Sequence, residues 1–233
     1  NFASTSQINP MVYRECFEKA LKAGEDVLYL CFSSGMSGTL QSANLCAQEL
    51  REDYPERKVM VVDTLCASVG EAMLVREAAR MQQEGLSIDE LAAWVEENRL
   101  KICHWFTVDD LHFLKRGGRC SPSAAFFGTM LKIKPVLHVD SEGKLIARSK
   151  VRGRMQALHA IAMKFGELGA DKDQMIFISH GDCKKDALYV KETLVKEFGC
   201  NPEKIVLSLV GPVIGSHSGP GTVALFFRGR DRG

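Results

Sequence analysis

The sequence predicts an α/β protein of two domains: a first domain built on a parallel sheet with helices on both faces, then a smaller mixed α/β domain. Three observations carry this prediction. Short apolar runs such as Val27-Leu28-Tyr29-Leu30-Cys31-Phe32 and Lys58-Val59-Met60-Val61-Val62 are nearly unbroken, as strands buried on both faces are. Up to about residue 108 these runs alternate with longer helix-compatible stretches, the rhythm of a parallel sheet. Beyond it the pattern changes to a hairpin, Pro135–Val139 and Leu145–Val151 about the turn Ser141-Glu142-Gly143-Lys144. The boundary is therefore placed near residue 118, giving domains 1–118 and 119–233.

The elements follow in order. Asn9-Pro10 starts a helix, with Asn as N-cap and Pro at the first helical position. Val12, Cys16, Ala20, Phe17 and Leu21 keep helical spacing, and Gly24 ends the run. The strand Val27–Phe32 enters the polar turn Ser33–Thr39, and a helix runs from Leu40 to about Tyr54-Pro55. Lys58–Val62 is a short strand, and Ser68–Glu84 is a helix stopped by Gly85. Ser87-Ile88-Asp89-Glu90 is a capping box for a helix ending near Asn98. Ile102–Val108 is a strand, and Asp109–Leu114 is a short helical piece. After the hairpin come a helix at Arg154–Leu168, a strand at Met175–Ser179 and a helix at Lys184–Phe198. Strands at Ile205–Val210 and Thr222–Phe227 flank a glycine-rich loop, Gly211–Gly221.

Composition narrows the function. The chain has 233 residues, enough for a sizeable core, and a net charge of +1, which points away from nucleic acid. None of the eight cysteines forms a C-x-x-C pair, and most have apolar neighbours. They read as reduced packing thiols of a cytoplasmic protein. No signal peptide pattern is visible. Ile205–Phe227 carries no Asp, Glu, Lys or Arg and has the length of a membrane span, but its glycines, prolines, serines and His217 favour strand, binding loop and strand. The chain begins at Asn1 with no leading strand, which reads as a fragment or a processed form.

Four stretches carry candidate chemistry. A strand–turn–helix connection aims backbone N–H groups and the positive end of a helix at one point, so Ser37, Gly38 and Thr39 form a candidate anion site. Ser37 with His217 also suggests a serine esterase. However, Thr39 stands where a G-x-S-x-G elbow needs its second glycine, and no lysine follows to make a phosphate loop of the Walker type. A phosphate- or nucleotide-binding module on this loop is a third reading. In Gly215–Gly221 the glycines allow close backbone approach to a ligand, and His217 offers a hydrogen bond or a charge. Lys115-Arg116-Gly117-Gly118-Arg119 is either a solvated basic turn or a means of bringing the Arg116 fork to a carboxylate or phosphate. The six histidines have no metal-ligand spacing, so neither a metal nor a cofactor is expected. Phe126, Phe127, Met130 and Ile133 lie in a stretch with more apolar bulk than one helix face requires. It is ordinary core or the wall of an elongated apolar cavity.

Taken together, the ordered strings Thr5-Ser6-Gln7, Ser34-Gly35-Met36-Ser37-Gly38-Thr39-Leu40-Gln41-Ser42-Ala43, Val62-Asp63-Thr64, Leu114-Lys115-Arg116-Gly117-Gly118-Arg119, Lys134-Pro135 and Gly215-Ser216-His217-Ser218-Gly219-Pro220-Gly221-Thr222 resemble the DegV family across essentially the whole chain. The resemblance implies a two-domain DegV-like fold with a long-chain fatty acid held between the domains. It implies a role like the FakB subunits of bacterial fatty acid kinase, which have no catalytic centre and present the fatty acid to an ATP-binding partner, FakA. By the same resemblance Thr5 and Ser37 hold the carboxylate, while Arg116 and His217 belong to the same polar network. Phe126, Phe127, Met130 and Ile133 are then acyl-pocket candidates. The implied partners are the fatty acid and a FakA-like kinase, with transient membrane contact for ligand exchange. Family members begin with a strand ending in an Asp-Ser-rich motif, and that strand is expected to pair in the first sheet.

Overall fold

The computed structural model describes residues 3–119 and 133–233. The chain divides into two units. One comprises Ser6–Ala67 and Glu71–Arg99; the other comprises Asn1–Thr5, Ser68–Gly70 and Leu100–Gly233.

The smaller unit is built from α1 (Pro10–Lys22), β1 (Val27–Cys31), α2 (Thr39–Asp53), β2 (Val59–Asp63), α3 (Val69–Gln83) and α4 (Ile88–Asn98), less the start of α3. The expected caps are present. The Asn9 side chain accepts the Met11 N–H at 2.8 Å, and Ser87 and Glu90 form a reciprocal capping box. Strands β1 and β2 pair in parallel from Val27↔Val59 to Cys31↔Asp63, the parallel sheet that the sequence predicts. Tyr13, Phe17 and Leu21 of α1 pack with Ala43, Cys46, Ala47 and Leu50 of α2, and the rings of Tyr13, Phe17 and Tyr29 lie 5.5–5.9 Å apart. Burial of these side chains, at about 1.5–3 kcal/mol for each large one, fixes β1 and hence the turn at its carboxyl end.

The larger unit holds β3 (Ile102–Thr107), α5 (His112–Arg116), β4 (Ile133–Val139), β5 (Leu145–Arg152), α6 (Arg154–Leu168), β6 (Ile176–His180), α7 (Lys184–Phe198), β7 (Ile205–Leu209), α8 (Pro212–Ser218) and β8 (Val223–Arg228). Its sheet has the order β5-β4-β3-β8-β6-β7, with β6–β7 parallel and the other pairs antiparallel. Cys103, Trp105, Val223, Leu225, Phe227, Ile176 and Ile178 face Leu158, Ile161 and Phe165 of α6 and Val190 and Leu194 of α7.

Two expectations change here. The division by contacts falls between Arg99 and Leu100 rather than at 118, because β3 is buried along its whole length between β8 and β4. An apolar run demands two neighbouring strands but does not say whether they are parallel or from which half of the chain they come. The mixed unit is consequently the larger one. The second change concerns the glycine-rich loop, which contains the short helix α8, with Pro212 in its first turn and His217 in its last. Proline suits a helix start, and that outweighs the glycines around it. Among the described residues no helix is long and apolar enough to cross a membrane, and the seven described cysteines form no disulfide.

Candidate functional site

In the smaller unit the polar turn runs from Ser33 into α2, with Gly38 as N-cap. The loop after β2 fixes it. The Thr64 N–H and hydroxyl both reach the Cys31 carbonyl, at 3.0 and 2.7 Å, and the Ser33 N–H reaches the Cys66 carbonyl at 3.0 Å. The Asp63 carboxylate accepts the N–H groups of Ser34 at 3.3 Å and Leu65 at 2.9 Å. Leu65 has φ of 50°, a left-handed backbone that side chains adopt at a cost of order 1–3 kcal/mol and that clusters at ligand sites. The Ser37 hydroxyl oxygen accepts the Thr39 N–H at 3.2 Å and shares a hydrogen bond with the Thr39 hydroxyl at 2.7 Å. The Gln7 amide donates to the Gly38 carbonyl at 2.8 Å and to the Ser42 hydroxyl. What results is a braced helix start with hydroxyls at its mouth, which suits an anion.

The larger unit carries a second polar cluster. Thr5 Oγ1 and His217 Nε2 are 2.8 Å apart. His217 Nδ1 is buried without a hydrogen-bond partner among the described residues. Burial, then the charges of Arg119 and Arg116, push the His217 pKa below its ordinary value, which favours the neutral ring. The Arg116 guanidinium lies 4.9 Å from the centre of the Phe113 ring. This cluster is donor-rich and positively charged, and it too suits an oxyanion.

The glycines of the two motifs have a common cause in this unit. A Cβ at Gly219 would come within 2.5 Å of the Phe113 ring, and one at Gly221 within 2.6 Å of Asp109. A Cβ at Gly117 would overlap the His217 imidazole. The segment 109–117 therefore meets the segment 217–221 through glycines, and the two strings form one packed feature. No local pattern in either string names its partner.

The candidate residues thus fall into two groups. Thr5, Arg116 and His217 belong to the larger unit, and Ser37 and Gly38 to the smaller. Ile133 opens β4, paired with Arg152 and half-buried. Phe126, Phe127 and Met130 lie outside the described residues. Within their own units, Ser37 is bonded to Thr39 and His217 to Thr5. The Asp63 carboxylate braces the turn.

A family model described as "Uncharacterised protein, DegV family" matches residues 1–230. A DegV domain-containing protein of Clostridium perfringens is 46% identical over 231 residues, covering 97% of this chain and 77% of that protein. Two solved structures are similar throughout. The fatty acid binding DegV family protein of Streptococcus agalactiae has a TM-score of 0.87 at 31% identity, covering 99% of this chain and 80% of that one. A DegV family protein of Thermus thermophilus, described by its fatty acid binding, has a TM-score of 0.88 at 34% identity, covering 98% and 80%. With the family model spanning nearly every residue and a relative 46% identical over 97% of the chain, the chain belongs to the DegV family.

Proposed function

We propose that this chain binds a long-chain fatty acid and presents its carboxylate to a FakA-like, ATP-binding partner kinase for acyl-phosphate formation. The observation that supports the reading most is the likeness, at 31% and 34% identity over 99% and 98% of the chain, to two structures described as fatty acid binding. The chain itself supplies no catalytic group in this reading. The head-group residues are Thr5, Arg116 and His217 of the one unit and Ser37 and Gly38 of the other; Ile133, Phe126, Phe127 and Met130 are the acyl-pocket residues.

The physical chemistry is consistent with this. A carboxylate taken out of water needs compensating donors. Donors that favour the ionised form lower its pKa, which keeps the carboxylate ionised and ready to attack. Its oxygen attacks the γ-phosphorus of the partner's ATP, and ADP leaves. An acyl tail of about sixteen carbons contributes on the order of 10 kcal/mol gross at about 0.8 kcal/mol per buried CH₂, less the cost of association. The tail supplies affinity and the polar groups set orientation. A partner that uses ATP implies a cytoplasmic protein, with transient membrane contact for ligand exchange.

The test is mass spectrometry of the purified protein, native and then after solvent extraction. A stoichiometric long-chain fatty acid is the expected result. A protein that arrives empty and takes up no oleate in a titration would end this reading. In the presence of the partner kinase, Ser37→Ala should slow phosphorylation while circular dichroism stays unchanged; an unchanged rate would remove Ser37 from the site.

A further inference from the structure

Gly117 and Gly118 are adjacent, and they are glycines for different reasons. Gly118 has φ of +67°, a left-handed backbone that favours glycine. Gly117 closes α5 with φ of −69° and ψ of −12°, which any residue adopts. Its backbone gives no reason for glycine. The reason lies in space: a Cβ on Gly117 would meet His217 Nδ1 first and the neighbouring ring carbons next, all side-chain atoms of one residue. The Nδ1 edge of the imidazole therefore lies where an alanine methyl would be. The opposite nitrogen, Nε2, is the one that meets Thr5 at 2.8 Å.

We infer that Gly117 is a positioning residue: its missing side chain seats the His217 ring and so aims Nε2 at Thr5 and at the anion the pair would hold. The inference deepens the fatty-acid reading, on which its ligand-binding part rests. Phe113, on the same segment, has its ring against Gly219 and the Arg116 guanidinium 4.9 Å from its centre. The segment that seats the imidazole thus also carries a guanidinium. A structural glycine would stabilise the fold without regard to His217, whereas a positioning glycine acts only through that ring.

A double-mutant cycle of Gly117→Ala and His217→Ala separates these roles. Two measurements are made on every folded variant: oleate affinity by titration calorimetry, and the His217 titration by NMR where the ring is present. Gly117→Ala should displace the ring into water, move its pKa back up toward the ordinary histidine value and weaken oleate binding about ten-fold. In the His217→Ala background the same glycine change should have no further effect on affinity. Equal losses in both backgrounds, or an unmoved His217 titration in Gly117→Ala, would overturn the inference. If Gly117→Ala alone fails to fold, the double variant should fold, since the ring it collides with is gone; a double variant that also fails to fold would overturn the inference as well. If the wild-type protein binds no oleate, the fatty-acid reading fails, and the NMR titration still decides the role of Gly117.

Discussion

The two polar clusters use glycine in opposite ways. In the turn before α2, Gly38 is an N-cap with φ of −75°, and a Cβ there would meet only the end of the flexible Gln7 side chain, at 2.9 Å. In the segment after α8, Gly219 and Gly221 have φ of +78° and +76°, and Cβ atoms there would enter Phe113 and Asp109. The first cluster is held by hydrogen bonds, the second by packing between two distant stretches of chain. A hydrogen-bonded turn tolerates a methyl group by moving a side chain. A packed one has nowhere to move it, because interiors are close-packed.

That contrast predicts its own largest effect. Gly219→Ala combines backbone strain of order 1–3 kcal/mol at φ of +78° and ψ of 173° with overpacking of about 1–3 kcal/mol, so urea unfolding should show a loss of about 3 kcal/mol. Gly38→Ala should lose less than about 1 kcal/mol in the same measurement, the scale of an imperfect N-cap. Similar losses at the two positions would erase the distinction.

The two clusters were also unequally legible in the sequence. Strand, turn and helix around Ser33–Thr39 are contiguous, so Val27–Cys31 and the small residues after it announce the local geometry, and α2 begins where Ser37-Gly38-Thr39 place it. Asn9, Ser87 and the ends of α6 and α7 were readable for the same reason: caps and periodicity are local. The second cluster depends on Thr5, Phe113, Gly117 and His217 meeting across the chain, which no local pattern encodes. Strand β3 was hidden likewise. Its burial could be read from Ile102–Thr107, but its antiparallel partners are more than 25 residues away in sequence, at β4 and β8.

A middle-sized effect sharpens the functional half of the comparison. Ser37→Ala removes the acceptor of the Thr39 N–H and a hydroxyl at the mouth of the helix. Oleate affinity should fall about ten-fold, or ~1.4 kcal/mol, the scale of one hydrogen bond to a charged group. Unfolding free energy should change by less than about 1 kcal/mol, since α2 keeps its packed face. A large stability loss with intact binding would make Ser37 a cap and nothing more.

The smallest effect concerns pH, because only the second cluster contains a histidine. His217 is held below its ordinary pKa by burial and by Arg119 and Arg116, while in the unfolded chain it titrates near about 6.5. As the pH falls through that value the unfolded state takes up a proton that the native state refuses, so native stability declines until the lower native pKa is reached. Burial also depresses His104 and His138, the latter to about 4, and both add slope of the same sign. Comparing the wild type with His217→Asn cancels their contribution, because both proteins keep them. Unfolding free energies measured from about pH 7.5 to 5, the range that brackets the unfolded histidine pKa, should fall less steeply in His217→Asn, and Ser37→Ala should keep the wild-type slope. If His217→Asn matched the wild-type slope, neither burial nor the two arginines would be depressing the ring's pKa, and the second cluster would lose its claim to be an electrostatic unit.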